Sequence, residues 1–76
     1  MGKFLYTNEE ETESVKEYMN GVYGRVWKTG NPEKMWKFEY YFEHAGLHYL
    51  VESGFCDTEE DAQYFCNVAS EKTTRP

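Results

Sequence analysis

Residues 36–43 have the sequence WKFEYYFE, and this stretch decides the fold class. Successive side chains of a β-strand point to opposite faces, so one face carries Trp36, Phe38, Tyr40 and Phe42. The other face carries Lys37, Glu39, Tyr41 and Glu43. The alternation predicts a half-buried antiparallel strand over residues 35–43, with an aromatic inner face and an acidic, aromatic outer face.

One further strand is predicted before this one in the chain and another after it. Residues 22–28 are rich in Val, Tyr and Trp, which favour strands, and the Gly, Asn and Pro of residues 29–34 predict a turn. After the aromatic strand, His44-Ala45-Gly46 predicts a short hairpin loop. The chain then returns as a strand over residues 47–53, with Leu47, Tyr49 and Val51 on one face.

Two helices are predicted outside the strands. Thr7 or Asn8 has capping-box spacing with the glutamates that follow, and an apolar stripe continues at Val15, Tyr18, Met19 and Val22. Asn20-Gly21 is expected to end this first helix. Asp57 caps the second helix, whose stripe consists of Ala62, Phe65, Cys66 and Ala69. Residues 3–6 are expected to form an edge strand or a tail packed on the core.

The predicted fold class is α+β, a small three-stranded antiparallel sheet with two helices packed on one face in αβββα order. The 76 residues are expected to form a single domain, 1–76, with residues 71–76 as a frayed tail. Aromatic residues make up 18% of the chain, which excludes a disordered acidic segment.

The charge balance narrows the classes of partner. The formal net charge is −6, which argues against a nucleic-acid-binding patch and against docking on an anionic membrane. No apolar run approaches the ~20 residues that span a bilayer. We therefore expect a cytoplasmic protein, in the host cytoplasm if a bacteriophage encodes it.

No pattern predicts catalysis, a cofactor or a metal. The chain has no Ser-His-acid order and no phosphate-binding glycine loop. The candidate metal ligands are His44, His48, Cys56 and Cys66. They do not form the closely spaced pairs on a turn that zinc sites prefer. The two cysteines are too few for a disulfide scaffold and are expected to be reduced and partly buried.

Two surfaces are candidate partner-binding sites. The first is the outer sheet face, where we expect Glu39, Tyr41, Glu43, Leu50 and Glu52, together with Lys37 and His48. The second is the predicted first turn of the first helix, with Glu9, Glu10 and Glu11, which together with residues 59–61 could imitate the phosphates of a nucleic acid. The alternatives are a solvated sheet face stabilised by cross-strand pairs and ordinary compensation of the helix dipole.

The composition resembles that of host-takeover and anti-defence proteins of bacteriophages, including anti-CRISPR proteins. This resemblance implies a small acidic inhibitor or adaptor, not an enzyme, that docks on a larger protein, including one with a basic nucleic-acid groove. A second hypothesis is a nucleic-acid-binding domain with the αβββα topology of double-stranded-RNA-binding domains, although residues 57–61 carry acids where that family carries lysines. A third is a structural subunit that forms homodimers.

Overall fold

The computed structural model describes residues 3–74, which form a five-stranded antiparallel sheet and one C-terminal helix. The strands follow one another across the sheet in chain order, and each pairs with the next. Their bounds are β1 Leu5–Tyr6, β2 Glu13–Met19, β3 Val22–Lys28, β4 Trp36–His44 and β5 Leu47–Cys56, and the helix α1 spans Glu59–Thr74.

The aromatic strand is confirmed as β4, which pairs with β3 on one side and β5 on the other. The predicted strand over residues 22–28 is also confirmed as β3. The hairpin loop between β4 and β5 consists of Ala45 and Gly46, whose φ angles of 53° and 79° are typical of a type I′ turn. β5 continues to Cys56, beyond the predicted end at Ser53.

The predicted first helix is wrong, and so is the predicted three-stranded sheet with two helices. Residues 13–19 form β2, which pairs with β3, while the short edge strand β1 pairs with β2. Asn20-Gly21 is the tight turn of the β2–β3 hairpin, with Gly21 at φ 84°, instead of a helix end. The helix–strand–strand–strand–helix order is therefore absent from residues 3–74, and the double-stranded-RNA-binding alternative loses the topology on which it rested.

A bulge in β2 explains why this strand imitates a helix. The register shifts between Glu17 and Met19, so that Tyr18 is the extra residue. The Tyr18 side chain lies on the helix side of the sheet, where its hydroxyl donates a hydrogen bond to Asn67 of α1. Met19 lines a groove on the same side. Two adjacent apolar side chains on one side break the alternation of a strand and complete the spacing of a helical stripe.

The loop from Thr7 to Thr12 is held by Asn8 instead of by a helix. The Asn8 side-chain oxygen accepts the backbone N–H groups of Thr12 and Glu13, at 3.0 and 3.2 Å. Asn and Asp side chains favour such local bonds to the backbone, which compete with helix formation. The sequence Glu9-Glu10-Glu11 is exposed in this loop, and Glu11 has a positive φ of 58°.

The second predicted helix is confirmed as α1, with its cap one residue later than predicted. The hydroxyl of Thr58, not Asp57, accepts the backbone N–H of Asp61 at 3.1 Å. Three residues of its stripe are fully buried against the sheet: Ala62, Cys66 and Ala69. The core beneath them contains Val26 and Phe38. The helix includes residues 71–74 of the predicted tail, while residues 75 and 76 lie outside the described residues.

Candidate acidic and aromatic sheet face

The sheet side that faces away from α1 is here called the open face. The register places its residues in rows across the strands. One row runs through Trp27, Lys37 and Phe55, and the next through Val15, Arg25, Glu39 and Ser53. The third row runs through Glu17, Tyr23, Tyr41 and Leu50, and the last pairs Glu43 with His48.

A stack of rings crosses three strands of the open face. The Tyr23 and Tyr41 rings lie 5.6 Å apart with 29° between their planes. The His48 ring lies 4.0 Å from that of Tyr41 at 17°. The three rings therefore form a platform, next to Leu50, which is 53% exposed.

Three carboxylates surround this platform: Glu17, Glu39 and Glu43. None of them forms an ion pair within residues 3–74. Burial raises the pKa of Tyr41, and the negative charge of Glu43 raises it further; Arg25 opposes this increase, and Glu39 adds a lesser one. We call the platform, Leu50 and these three carboxylates the acidic half of the open face.

The other half of the open face has its own cations. The Arg25 guanidinium lies 4.3 Å from the Trp27 ring centroid and forms an ion pair with Glu13. Lys37 lies over both Trp27 and Phe55, at 5.7 and 5.3 Å, and Lys34 lies over Phe55 at 5.1 Å. We call Arg25, Lys34, Lys37, Trp27 and Phe55 the basic half of the open face. Its cation–π contacts are made within the chain.

Most of the predicted sheet-face residues lie where the alternation placed them. Glu39, Tyr41, Glu43 and Leu50 share the open face with Lys37 and His48. Glu52 does not: it lies opposite Tyr40 on the helix side, where its carboxylate is 3.5 Å from Lys72. The reason is a bulge at Val51, which shifts the register of β5 by one residue and moves Glu52 to the other face.

The second predicted site is not a helix turn, because Glu9, Glu10 and Glu11 lie in the β1–β2 loop. The structure nevertheless brings this loop and the start of α1 near each other at Tyr6. The Tyr6 hydroxyl donates a hydrogen bond of 2.9 Å to Glu59, and this bond raises the pKa of Tyr6. The charge of Glu11 acts in the same direction.

A groove on the helix side was missed by the sequence analysis, which assigned its aromatic and aliphatic residues to the core. Its volume is about 470 Å³, and it is lined by Met19, Val22, Tyr40, Phe42, Val51 and Thr73. Leu47 and Tyr49 extend this apolar surface along β5, where Tyr49 stacks on Phe42 at 4.9 Å. The sequence could have indicated this groove only through the number of elements, because a single helix is too few to cover the helix side of the long strands β4 and β5.

The cysteines and the possible metal ligands form no recognisable reactive site in the described part of the chain. Cys56 and Cys66 are free and buried. Burial raises the pKa of both thiols, and that of Cys66 reaches about 12. Within residues 3–74 no group of three or more His, Cys, Asp or Glu residues could hold a metal ion. No helix in this range is long and apolar enough to cross a membrane.

Comparison of the chain with models of known protein families, with curated proteins and with solved structures finds no match in any of the three.

Proposed function

We propose that this chain is a non-enzymatic protein-binding module whose acidic half binds a basic segment of a larger protein. One observation carries the proposal. The stacked rings of Tyr23, Tyr41 and His48 lie among three carboxylates that form no ion pair within the described residues. Aromatic residues are typical of the centre of protein interfaces, so this composition suits a docking surface.

The chemistry of the acidic half fits a guanidinium or ammonium group from outside the chain. Such a cation over an outer face of the ring stack, since both faces of Tyr41 are covered, contributes about 0.5–1 kcal/mol when exposed and about 2 kcal/mol when water is excluded. A carboxylate beside the ring adds a charge-assisted hydrogen bond. In the basic half the chain supplies these cations itself from Arg25, Lys34 and Lys37.

The net charge supports the same choice of partner. A chain with a formal charge of −6 attracts a basic surface over a distance and repels acidic ones. Complementary charge mainly speeds association and selects the partner, while the rings and Leu50 supply apolar contact. A basic segment therefore satisfies both features of the acidic half.

The test is the binding of a fluorescent peptide that alternates valine and arginine, measured by anisotropy. The variant Glu39→Lys/Glu43→Lys is compared with the control Glu9→Lys/Glu10→Lys, which changes the net charge equally but lies in the β1–β2 loop. We expect the sheet variant to bind roughly tenfold more weakly than the loop variant, because it removes local carboxylates. Equal weakening in both variants would contradict the proposal.

A further inference from the structure

β5 is a long edge strand of the sheet. It spans ten residues and pairs with β4 alone among the described strands. The other edge is formed by the two-residue β1 and by the end of β2 that β1 does not cover, where Lys16 and the bulge at Tyr18 lie. Edge strands in natural proteins are commonly protected by lysine, proline or a bulge. Residues 47–51 of β5 contain no Lys, Arg, Asp or Glu and no proline, and the bulge comes only at Val51.

The backbone groups that β5 leaves free can be identified. The Glu43 N–H donates to the Gly21 carbonyl, so odd-numbered residues of β4 direct their backbone groups toward β3. The even-numbered Phe42 and His44 therefore bond to Tyr49 and Leu47 of β5. By alternation, the N–H and C=O groups of His48 and Leu50 point to the free edge.

The two sides of this edge differ in chemistry. Leu47, Tyr49 and Val51 adjoin the apolar groove on the helix side, and all three are at least 40% exposed. His48 and Leu50 belong to the acidic half on the open face, beside Glu43 and Tyr41. A strand added here would place alternate side chains over an apolar groove and over an acidic, aromatic surface.

We infer that the basic segment of the proposed function binds as an antiparallel strand added to residues 47–51 of β5, with apolar and basic side chains in alternation. This inference rests on the proposed function and specifies its partner. The apolar side chains enter the groove lined by Phe42 and Val51. The basic side chains pass over His48 and point toward Glu43 on β4, which is about two strand spacings, or 10 Å, from the added strand. Glu17 on β2 is about twice as far away and acts on the bound segment only through its longer-range charge.

Charge selects a basic partner strand over a second copy of this chain. Two copies, each with a net charge of −6, would repel when their β5 edges met. A basic strand gains attraction at the same edge. The antiparallel direction follows the rest of the sheet and is the more stable pairing per residue.

N-methylation of the alternating valine–arginine peptide tests the inference without altering the protein. In an antiparallel pair, the peptide residues opposite His48 and Leu50 point their side chains to the same face and exchange backbone hydrogen bonds with these two residues. Because that face is the acidic one, these peptide residues are the arginines. We expect methylation of the backbone amide nitrogens of the arginines to weaken binding roughly tenfold or more, because each methyl group removes a hydrogen-bond donor to β5. Methylation of the backbone amide nitrogens of the valines should change binding little. Amide exchange of His48 and Leu50 should slow when the unmodified peptide binds.

A pair of protein variants tests the groove side. Leu47→Ser removes an apolar side chain that is 57% exposed beside the groove. Tyr64→Ser removes one that is 60% exposed on α1, as the control. We expect only Leu47→Ser to weaken the binding of the alternating peptide. A peptide of the same composition with its arginines and valines in separate blocks should bind more weakly to the unaltered protein.

The failures of the two proposals are distinguishable. If both methylated peptides bind like the unmodified one while Glu39→Lys/Glu43→Lys still weakens binding, strand addition is wrong and the proposed function stands. If the unmodified peptide shows no dependence on these glutamates, the proposed function is wrong and the inference fails with it. If His48 and Leu50 become protected as protein concentration rises without peptide, a second copy occupies the edge and the inference is overturned.

Discussion

At the scale of single residues, Gly24 sets the distance between the helix and the sheet. A Cβ atom at this position would lie 2.9 Å from a Tyr18 ring carbon and 3.1 Å from the Cys66 Cβ. We expect Gly24→Ala to lower the free energy of unfolding by about 1–3 kcal/mol, because the added methyl group would force the Tyr18 ring and the buried Cys66 to shift. Urea denaturation measures this. The control Ser53→Ala, on the open face, should stay within about 0.5 kcal/mol of the parent, and equal stability of the two variants would refute the close approach.

Glu13 gives the fold a dependence on pH. Its carboxylate accepts a hydrogen bond from Thr7 at 2.7 Å and pairs with Arg25, and these contacts lower its pKa below the usual value of 4.5. A lowered pKa in the folded state stabilises the protein above the unfolded value, and this contribution is lost as pH falls through the folded value.

We therefore expect the stability difference between the parent and Glu13→Gln to be greatest near neutral pH and to shrink below about pH 4. Urea denaturation at a series of pH values measures it. Glu9→Gln, in the exposed loop, is the control and should show a smaller and flatter difference. A difference for Glu13→Gln that is constant with pH would contradict this role.

At the scale of elements, Thr58 caps the start of α1 by accepting the Asp61 N–H. We expect Thr58→Ala to destabilise the protein by about 1 kcal/mol, because an N–H of the first helical turn loses its partner. Thr58→Ser keeps the hydroxyl and should retain most of the stability. Thermal unfolding followed by circular dichroism makes the comparison, and equal losses in both variants would exclude the cap as the cause.

β3, β4 and β5 could be predicted as strands from the sequence, whereas the bulged β2 was predicted as a helix and the bulged β5 was wrong only in the face of Glu52. β3 and β4 keep their period of two throughout. In β2 the bulge at Tyr18 produces the spacing of a helix, and in β5 the bulge at Val51 moves Glu52 to the opposite face. A bulge depends on how a strand meets its neighbour, so the residues of one strand do not reveal it.

At the scale of the whole molecule, the candidate site was predictable in composition but not in arrangement. The alternation alone placed Glu39, Tyr41 and Glu43 on the outer face. The stacking of Tyr23 on Tyr41, and the separation into an acidic and a basic half, depend on the cross-strand register. The groove exists because one helix covers five strands and leaves part of the helix side exposed. The predicted fold, with two helices over three strands, would have covered that side.

The central claim is that the acidic half recognises a basic segment, and a charge exchange tests it most directly. The affinity of Glu39→Lys/Glu43→Lys is measured for the valine–arginine peptide and for a valine–glutamate peptide of the same length. We predict that the variant loses affinity for the arginine peptide and gains affinity for the glutamate peptide, while Glu9→Lys/Glu10→Lys shows no such reversal. An unchanged preference for arginine in the sheet variant would contradict the account.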